Sequence, residues 1–566
     1  MSDKLQSGSP RLRESIARLE RYRQGKRRLD ARLYDEAMWW QSRHETAPAE
    51  GDSRRSGKPV SAWLFNSICN KHADLCDRMP VCTALPREPG DRADAALLSA
   101  VLPVVAARCR LKKTYSDNAW IKLRHGTAVY GVFWNPALEN GIGDIDIRRV
   151  DILNLFWEPG VTDIQDSPHL YLVGLEDRAA LESRYPVLAE AVRQGRLDPD
   201  STPADGASLL GSGGSYLLRE RDGCPEKYTV VDWYYRKALP DGRTVLHYAK
   251  YVGDILLYAS ENDPACAERG WYDHGLYPFV PDVLFPEADS PAGYGLIAVG
   301  RNPQGYIDEL DGHILEYANW ASRVRYWAKR SLGINEKEFL DPDRRIIQVE
   351  GDMDEEKLRQ ITLSPMDGML SEVRQMKIEE LKETTGTRDV NQGMSGGVTA
   401  ASAITALQEA GDKSSRDCVS GSYRAYVAVM EQVVELIRQF YTGTRCFRIA
   451  GDGGWKYIRY SNRGLRDRVT GTDAAGNPLR RRPVFDIDVR AERENPLDRA
   501  GRNELMLSLF RAGMFDPDRR AAAALALSDM DFDGIDALRA AVAPAAGAAV
   551  APAAVATVAP TAGDSE

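Results

Sequence analysis

A glycine-rich loop that opens directly into a very long helix constrains this 566-residue chain more than any other feature. The stretch from Gly393 to Tyr441 reads GMSGGVTAASAITALQEAGDKSSRDCVSGSYRAYVAVMEQVVELIRQFY. Thr399 suits an N-cap, because its hydroxyl can accept from an orphan N–H of the first turn, and Ala400 to Leu407 is rich in strong helix formers. Further on, Val419, Tyr423, Val427, Met430, Val433, Val434, Ile437, Phe440 and Tyr441 recur at steps of three and four, the period of one buried helical face. Unbroken from Thr399 to Tyr441, such a helix spans roughly 60 Å at 1.5 Å per residue. A large surface has to lie beside it.

The chain has room for several domains, and its 43% hydrophobic content is that of a globular protein. Its net charge of −9, from 74 basic and 83 acidic residues, disfavours a simple sequence-specific DNA binder, so any nucleic-acid contact must come from local patches. Eight cysteines without a CxxC pair, and no apolar N-terminal run, predict free thiols, a reducing compartment and no secretion signal. Residues 541–566 fall in an Ala/Pro/Val/Gly tail whose prolines break any spanning helix; it reads as disordered, and no membrane contact is expected.

Residues 1–60 form a charged N-terminal helical segment. Within Arg11 to Trp40, the residues Leu12, Ile16, Leu19, Leu29 and Leu33 make a narrow apolar stripe amid arginines, which suits a solvated helix face better than a polyanion-binding arm. Ala62 to Met79 is amphipathic. Its Cys69, His72 and Cys76 invite a zinc reading, but they share one face with Ile68, Leu75 and Met79, as core residues do, and no fourth ligand has matching spacing. Helix is predicted from Ala93 to Arg124. Strands follow at Thr127–Trp134 and Asp144–Val150 around the turn-like Glu139–Gly143, and a meander is predicted at Lys227–Tyr235, Val245–Tyr251 and Asp254–Tyr258. Asp144 and Asp146 share a strand face and are assigned no chemistry. Ala204 to Ser215 is flexible by composition.

The next block changes character. Asn302-Pro303 reads as a cap plus first-turn proline, after which Ile307, Leu310, Ile314, Tyr317, Ala321, Val324 and Ala328 alternate three and four steps as a heptad seam does. Acids crowd its first half and bases its last, matching the helix dipole. An excursion from Ser331 to Leu363, with a strand expected at Ile346–Val349, leads to the cap signature at Ser364 and a second helix that Gly386 stops. The unit reads as an extended hairpin with a tip. Beyond Tyr441, strands are predicted at Arg445–Ala450, Lys456–Tyr460 and Val484–Val489, and helix at Asn503–Ala543.

Catalytic signatures are missing. There is no GxxxxGK[ST], no GxSxG and no HxxxH pair among seven histidines. The run DMDFDG from Asp529 copies the start of a calcium loop, but Ala540 stands where a bidentate glutamate is needed. No cofactor, no metal and no enzymatic activity are expected.

The order of the parts resembles the portal proteins of tailed bacteriophages, from about Trp63 to Phe532. The likeness is carried by FNSICNKHADLCDRMP, ALLSAVLPVVAARCRLKKTYSDNAWIKLRHGTAVYGVFW, VDILNLFWEPG, YPFVPDVLFPEADSPAGYG and TTGTRDVNQGMSGGVTAASAITALQEAG leading into ELIRQFY. One departure is the first stem helix, where Arg301–Gly305 precedes a charged Asp308–Asp311 in place of a Gln-containing run towards an Asn.

The resemblance implies an α+β, mainly helical fold with wing, stem, clip and crown, assembled as a dodecameric ring. Such a ring stands at one capsid vertex of the virion after assembly in the host cytoplasm, and viral double-stranded DNA is packaged and ejected through it. The implied partners are the terminase large subunit, head-completion or adaptor proteins, and the major capsid and scaffolding proteins. Residues 61–295 look like the wing, 296–330 like the first stem helix, 331–363 like the clip and 364–385 like the second stem helix. The tunnel loop is then 386–398, the long wing helix 399–441, a wing β segment 442–494 and the crown 495–540. Tunnel-loop residues on this reading are Arg388, Asp389, Asn391, Gln392, Gly393, Met394, Ser395, Gly396 and Gly397. Stem-lining candidates are Asp308, Glu309, Asp311, Glu316, Glu379, Glu380 and Glu383. Clip docking candidates are Glu336, Lys337, Glu338, Asp343, Arg344 and Arg345.

Physical chemistry agrees with a channel. DNA cannot slide past residues that hold its phosphates tightly, because each stable basic contact adds salt-dependent affinity and a barrier to movement. Twelve copies of a −9 chain carry roughly −108, which discourages adhesion. The loop's glycines give mobility, Asn391 and Gln392 offer weak neutral contacts, and Arg388 is its sole base, a composition for a flexible gate. Two other readings are a metal-dependent nuclease using Asp486/Asp488 or Asp529/Asp531/Asp533, and a structural coiled-coil ring or scaffold.

Overall fold

The computed structural model describes residues 4–44, 60–197, 227–322, 325–328, 358–361, 366, 368–386, 413–451, 454–472 and 478–493, with four positions between 508 and 513. Two compact units divide the chain at Arg493. The second is described only at Arg493, Ser508, Phe510, Arg511 and Gly513, where Gly513 closes a turn by donating its N–H to Phe510 O at 3.0 Å.

In chain order the first unit contains α1 (Pro10–His44), α2 (Trp63–Asp77), β1 (Arg78–Pro86), α3 (Arg92–Arg108), α4 (Leu111–His125), β2 (Thr127–Asn135) and β3 (Asp144–Val150). Next come β4 (Leu155–Phe156), β5 (His169–Asp177), α5 (Arg178–Arg184), α6 (Pro186–Arg193), β6 (Lys227–Ala238), β7 (Thr244–Val252) and β8 (Ile255–Ala259). They are followed by β9 (Phe279–Val283), β10 (Phe285–Pro286), β11 (Gly293–Tyr294), α7 (Leu296–Ser322), β12 (Arg325–Ala328), β13 (Leu358–Ile361), α8 (Gly368–Thr385) and α9 (Lys413–Phe440). Five strands complete the unit: β14 (Arg445–Gly451), β15 (Gly454–Tyr460), β16 (Arg468–Thr472), β17 (Pro478–Arg481) and β18 (Phe485–Arg493). The fold is α+β.

Two antiparallel sheets form the body. One has the order β3-β2-β9, the other the order β4-β5-β6-β7-β8, of which β6-β7-β8 are the expected meander while β4 and β5 add two strands that were not expected. The main core joins Leu98, Val101 and Leu102 of α3 to Val129 and Val132 of β2, Ile145 and Ile147 of β3, and Val429, Met430, Val433 and Ile437 of α9. The long helix is buried on more than one side. Cys418, Ala425, Tyr426, Val429 and Leu436 are buried beside the predicted face, and Val427 is only half-buried. The part of this helix expected before Lys413, with its cap at Thr399, lies outside the described residues.

The N-terminal helix is two-sided, its apolar stripe packed and Arg13, Arg21, Arg27 and Arg28 on its charged side exposed, as the solvated-face reading expects. Leu12, Leu19 and Tyr22 of α1 pack on Tyr171, Val173, Val231, Trp233 and Tyr251 of the five-stranded sheet, so the apolar stripe is covered while the arginines flank it. Arg11 bonds Glu261 on the sheet side at 2.8 Å, and Arg18 pairs along the helix with Glu14.

Three expectations are corrected. Helix does not run unbroken from Ala93 to Arg124: Arg110 adopts a left-handed conformation (φ 53°) and divides it into α3 and α4. Asn302-Pro303 does not open the first stem helix, which begins at Leu296 and carries Pro303 inside it. Nor does that helix reach Arg330: it is helical to Ser322, and Arg325–Ala328 is a strand paired antiparallel with Leu358–Ile361, Arg325 opposite Ile361 and Ala328 opposite Leu358. Tyr326 and Trp327 are strong strand formers, and the partner strand supplies the hydrogen bonds that a helix would have made locally. The excursion is thus closed at its base by a β ribbon; the strand expected at Ile346–Val349 lies outside the described residues. The second stem helix ends as predicted, with Gly386 at φ 67° donating its N–H to Glu383 O. Strand β1, which pairs with β18 across some 400 residues of sequence, was not anticipated.

Candidate DNA-channel hairpin and its mounting

Helices α7 and α8 pack along one another, and their apolar side docks on α2. Ile307, Ile378 and Leu381 lie in one buried cluster with Leu64 and Ile68 of α2 and with Leu296 and Ile297. Gly300 permits the approach: a Cβ there would stand 2.6 Å from Leu64 Cδ1, closer than real Cβ atoms come. Where α2 begins, its first turn has orphan N–H groups, and α7 meets one of them with a side chain. Gln304 Oε1 accepts from Leu64 N–H at 3.0 Å, while Nε2 donates towards Ser61 O at 2.9 Å and Asp308 Oδ1 at 2.9 Å. Asp308 Oδ1 also accepts from the N–H and the hydroxyl of Ser61, each at 2.9 Å. Gln304 is 1% exposed.

The stem candidates therefore divide into two sets. Asp308 belongs to this knot, and Asp311 is ion-paired with Arg374, joining α7 to α8. Glu309, Glu316, Glu379, Glu380 and Glu383 are exposed, Glu379 accepting from Gln375 and Glu380 pairing with Lys377, each within α8. The tunnel-loop candidates from Arg388 to Gly397 and the clip candidates from Glu336 to Arg345 lie outside the described residues.

What the structure does place is the base of the loop. Thr385, the last residue of α8, donates its hydroxyl to Ser67 Oγ at 3.2 Å. Ser415, in the first turn of α9, accepts from Lys71 Nζ at 2.8 Å and donates to Asp74 Oδ2 at 2.6 Å. Ser67 and Lys71 stand one turn apart on α2, and all four of Thr385, Ser67, Lys71 and Ser415 are buried. Both ends of segment 387–412 are tied to one face of one helix.

A second buried knot fixes α9 to the body. Lys122 of α4 lies 2.6 Å from Asp282 of β9 and donates to Ser422 Oγ at 2.7 Å and to Cys418 O at 3.1 Å; Ser422 donates to Asp282 Oδ2 at 2.9 Å. Gly421 leaves the room, since a Cβ there would lie 3.3 Å from Lys122 Nζ. At the other end of α9, the Tyr441 hydroxyl donates to the buried Asp144 at 2.5 Å, with Arg108 and Arg445 each 3.7 Å from that carboxylate.

The residues considered for metal chemistry are placed otherwise. His72 stacks on Trp120 at 4.0 Å with Nε2 3.2 Å from Ser116 O, and Cys76 Sγ lies 3.4 Å from that nitrogen. Asp486 is held by Arg87 at 2.8 and 2.6 Å. Among the described residues no group of three or more His, Cys, Asp or Glu side chains is placed to hold a metal ion. Asp529, Asp531 and Asp533 lie outside them. Burial pushes the Cys82 thiol up to about 11, and burial together with Asp144 pushes Cys109 up to about 12, so neither is a nucleophile near neutrality.

These features define an α+β chain whose paired long helices and whose loop base are mounted on a sheet-bearing body. Residues 324–561 match the family model described as Phage P22-like portal protein, which supports a portal protein of the tailed-phage type. The matched region takes in β12, β13, α8, α9 and the strands β14 to β18. It covers less than half of the chain, and the likeness quoted from Trp63 to residue 323 rests on its own residues. No curated protein matches the chain. Among the described residues no helix is long and apolar enough to cross a membrane.

Proposed function

We propose that this chain is the ring subunit of a portal: a dodecamer at one capsid vertex whose channel admits viral double-stranded DNA during packaging and releases it on ejection. The family match supports the class, and portal proteins form a structural, non-enzymatic family of capsid-associated rings. The observation that carries the reading is that the segment holding the expected gate, residues 386–398, is flanked by Thr385 of the second stem helix and Ser415 of the long helix, both of which bond α2. A gate that touches moving DNA needs a mobile tip and an immobile base, and this loop has the composition for the first and the anchors for the second. Exposed Glu309, Glu316, Glu379, Glu380 and Glu383 on the stem helices support an acidic, weakly adhesive lining.

On this reading residues 331–363 form the clip, which docks the terminase large subunit and later the head-completion proteins, and the wing meets the major capsid and scaffolding proteins. Negative-stain images with mass measurement of the purified protein test the assembly. A large ring with an axial hole is expected; a compact monomer or dimer overturns the proposal. Replacing Asn391 and Gln392 by Ala should leave rings intact and alter packaging or retention of DNA, and unchanged packaging removes the gate from the mechanism.

A further inference from the structure

The strand pair β14–β15 carries a surface that neither the hairpin nor the loop uses. Between Arg445 and Arg482 the chain has ten basic and three acidic residues, a net of +7 within a chain of net −9. Part of this charge is internal. Arg445 lies over the Tyr441 ring, Arg468 pairs with Asp94, Arg481 with Glu88, and Arg482 with Glu435. The remainder faces outward. Arg448 stands opposite Tyr457 and Cys446 opposite Arg459 in the antiparallel register. Because side chains alternate along a strand, Phe447 and Tyr460 turn into the core and these four turn away from it. All four are exposed, Tyr457 at 71%. Arg463 and Arg466, in the turn after β15, are exposed as well.

We propose that this face is a second nucleic-acid contact, one that takes the phosphate backbone of double-stranded DNA without reading its sequence. Arginine supplies planar, bidentate donors suited to phosphate, and Tyr457 offers an aromatic surface with a polar tip between them. The positive charge is local, so it attracts a polyanion to this strip of a chain whose net charge is −9. That strip is the opposite of a sliding surface: where the gate needs weak contacts, arginines on the strand pair and in the turn after it hold DNA in place. The choice of DNA among polyanions rests on the portal reading.

The test uses the full-length protein and a fluorescent duplex of about 30 base pairs, with binding followed by anisotropy as NaCl rises from about 50 to 200 mM. Arg459→Glu/Arg463→Glu/Arg466→Glu should weaken binding at least about tenfold at about 100 mM NaCl and lower the slope of log K against log[NaCl] by about 2.7, at 0.9 per lost phosphate contact. Tyr457→Ala, which keeps every charge, should weaken binding and leave the slope unchanged. DNA should also slow alkylation of Cys446, which shares the face. Unchanged affinity and slope in a triple variant that melts like the parent overturn the proposal. So does polyglutamate that displaces DNA and protects Cys446 equally well, which assigns the face to an acidic protein. Rings that persist while DNA binding is lost keep the portal reading apart from this one; absent rings with DNA binding intact sink only the portal.

Discussion

Removing Lys122 tests how the long helix is held. Lys122 and Asp282 are essentially inaccessible, 0% and 2% exposed, and lie 2.6 Å apart. Breaking such a pair from one side leaves an uncompensated charge in the interior, which costs about 3–5 kcal/mol. Lys122→Met also strips Cys418 O of one donor and leaves Asp282 with only the Ser422 hydroxyl among the contacts described above. The first unit spans 492 residues. At about 2.1 cal/mol/K per residue, an unfolding entropy for a unit of that size is about 1 kcal/mol/K, so each single variant should melt roughly 3–5 °C lower. Lys122→Met/Asp282→Leu should recover most of the loss, because a packed apolar pair replaces a buried ionic one at little or no cost. Scanning calorimetry at one fixed protein concentration is the assay, since assembly shifts the transition by mass action. Single variants within 1 °C of the parent, or a double variant that loses the sum of both, would refute the reasoning.

Three further outcomes are expected. Gly300→Val forces its side chain into Leu64, and should loosen the α7–α8 hairpin from α2, read as earlier proteolysis within the stem; Gly300→Ala should do so less. Burial, with Arg18 and Arg11 adding, lowers His169 to about 4, and burial lowers His274 to about 4 against a small opposing effect of Asp273. Both stay neutral in the fold while the unfolded chain takes up protons below pH 6.5, so stability is full above that pH and declines as pH falls towards 4. The melting temperature of His274→Gln should therefore fall less over that window than the parent's. Finally, Cys446 is exposed while Cys82 and Cys418 are buried, so among the described cysteines a thiol reagent on the folded protein should modify Cys446 first, and Cys446→Ser should remove its share of the fast phase.

Local periods explain what could be read in advance. The strands from Lys227 to Ala259 are rich in Val, Tyr and Trp and are parted by the turn residues Pro240–Gly242 and Gly253–Asp254, so they are visible in the sequence, and Gly386 ends its helix because only the left-handed conformation closes the turn there. Other features have no local signature. Arg110 breaks a helix without glycine or proline, its backbone left-handed at φ 53° between α3 and α4. Pro303 mimics a helix start, yet the helix enters from Leu296 and the missing N–H is absorbed inside it. The pairing of β1 with β18 joins residues so distant in sequence that no pattern registers it. At the candidate site the acids were legible as charges, but the roles of Asp308 and Asp311 were not, because both depend on partners, Ser61 and Arg374, brought in by folding. Gln304 carries no local signal of its role; only its burial beside Leu64 N–H shows why a glutamine belongs there.

The shared seat of Thr385 and Ser415 on α2 has a mechanical consequence. A loop whose two ends rest on separate elements spreads them when it is pulled, and the work goes into deforming the body. Here the two ends share a rigid rod, Ser67 and Lys71 being a turn apart, so a load on the tip reaches α2 as a single push or torque. The same rod is bolted to the stem through Leu64 and Ser61. A load on the segment's ends would thus reach the α7–α8 hairpin through α2 and the three-stranded sheet through α9, whose Ser422 bonds Asp282 of β9.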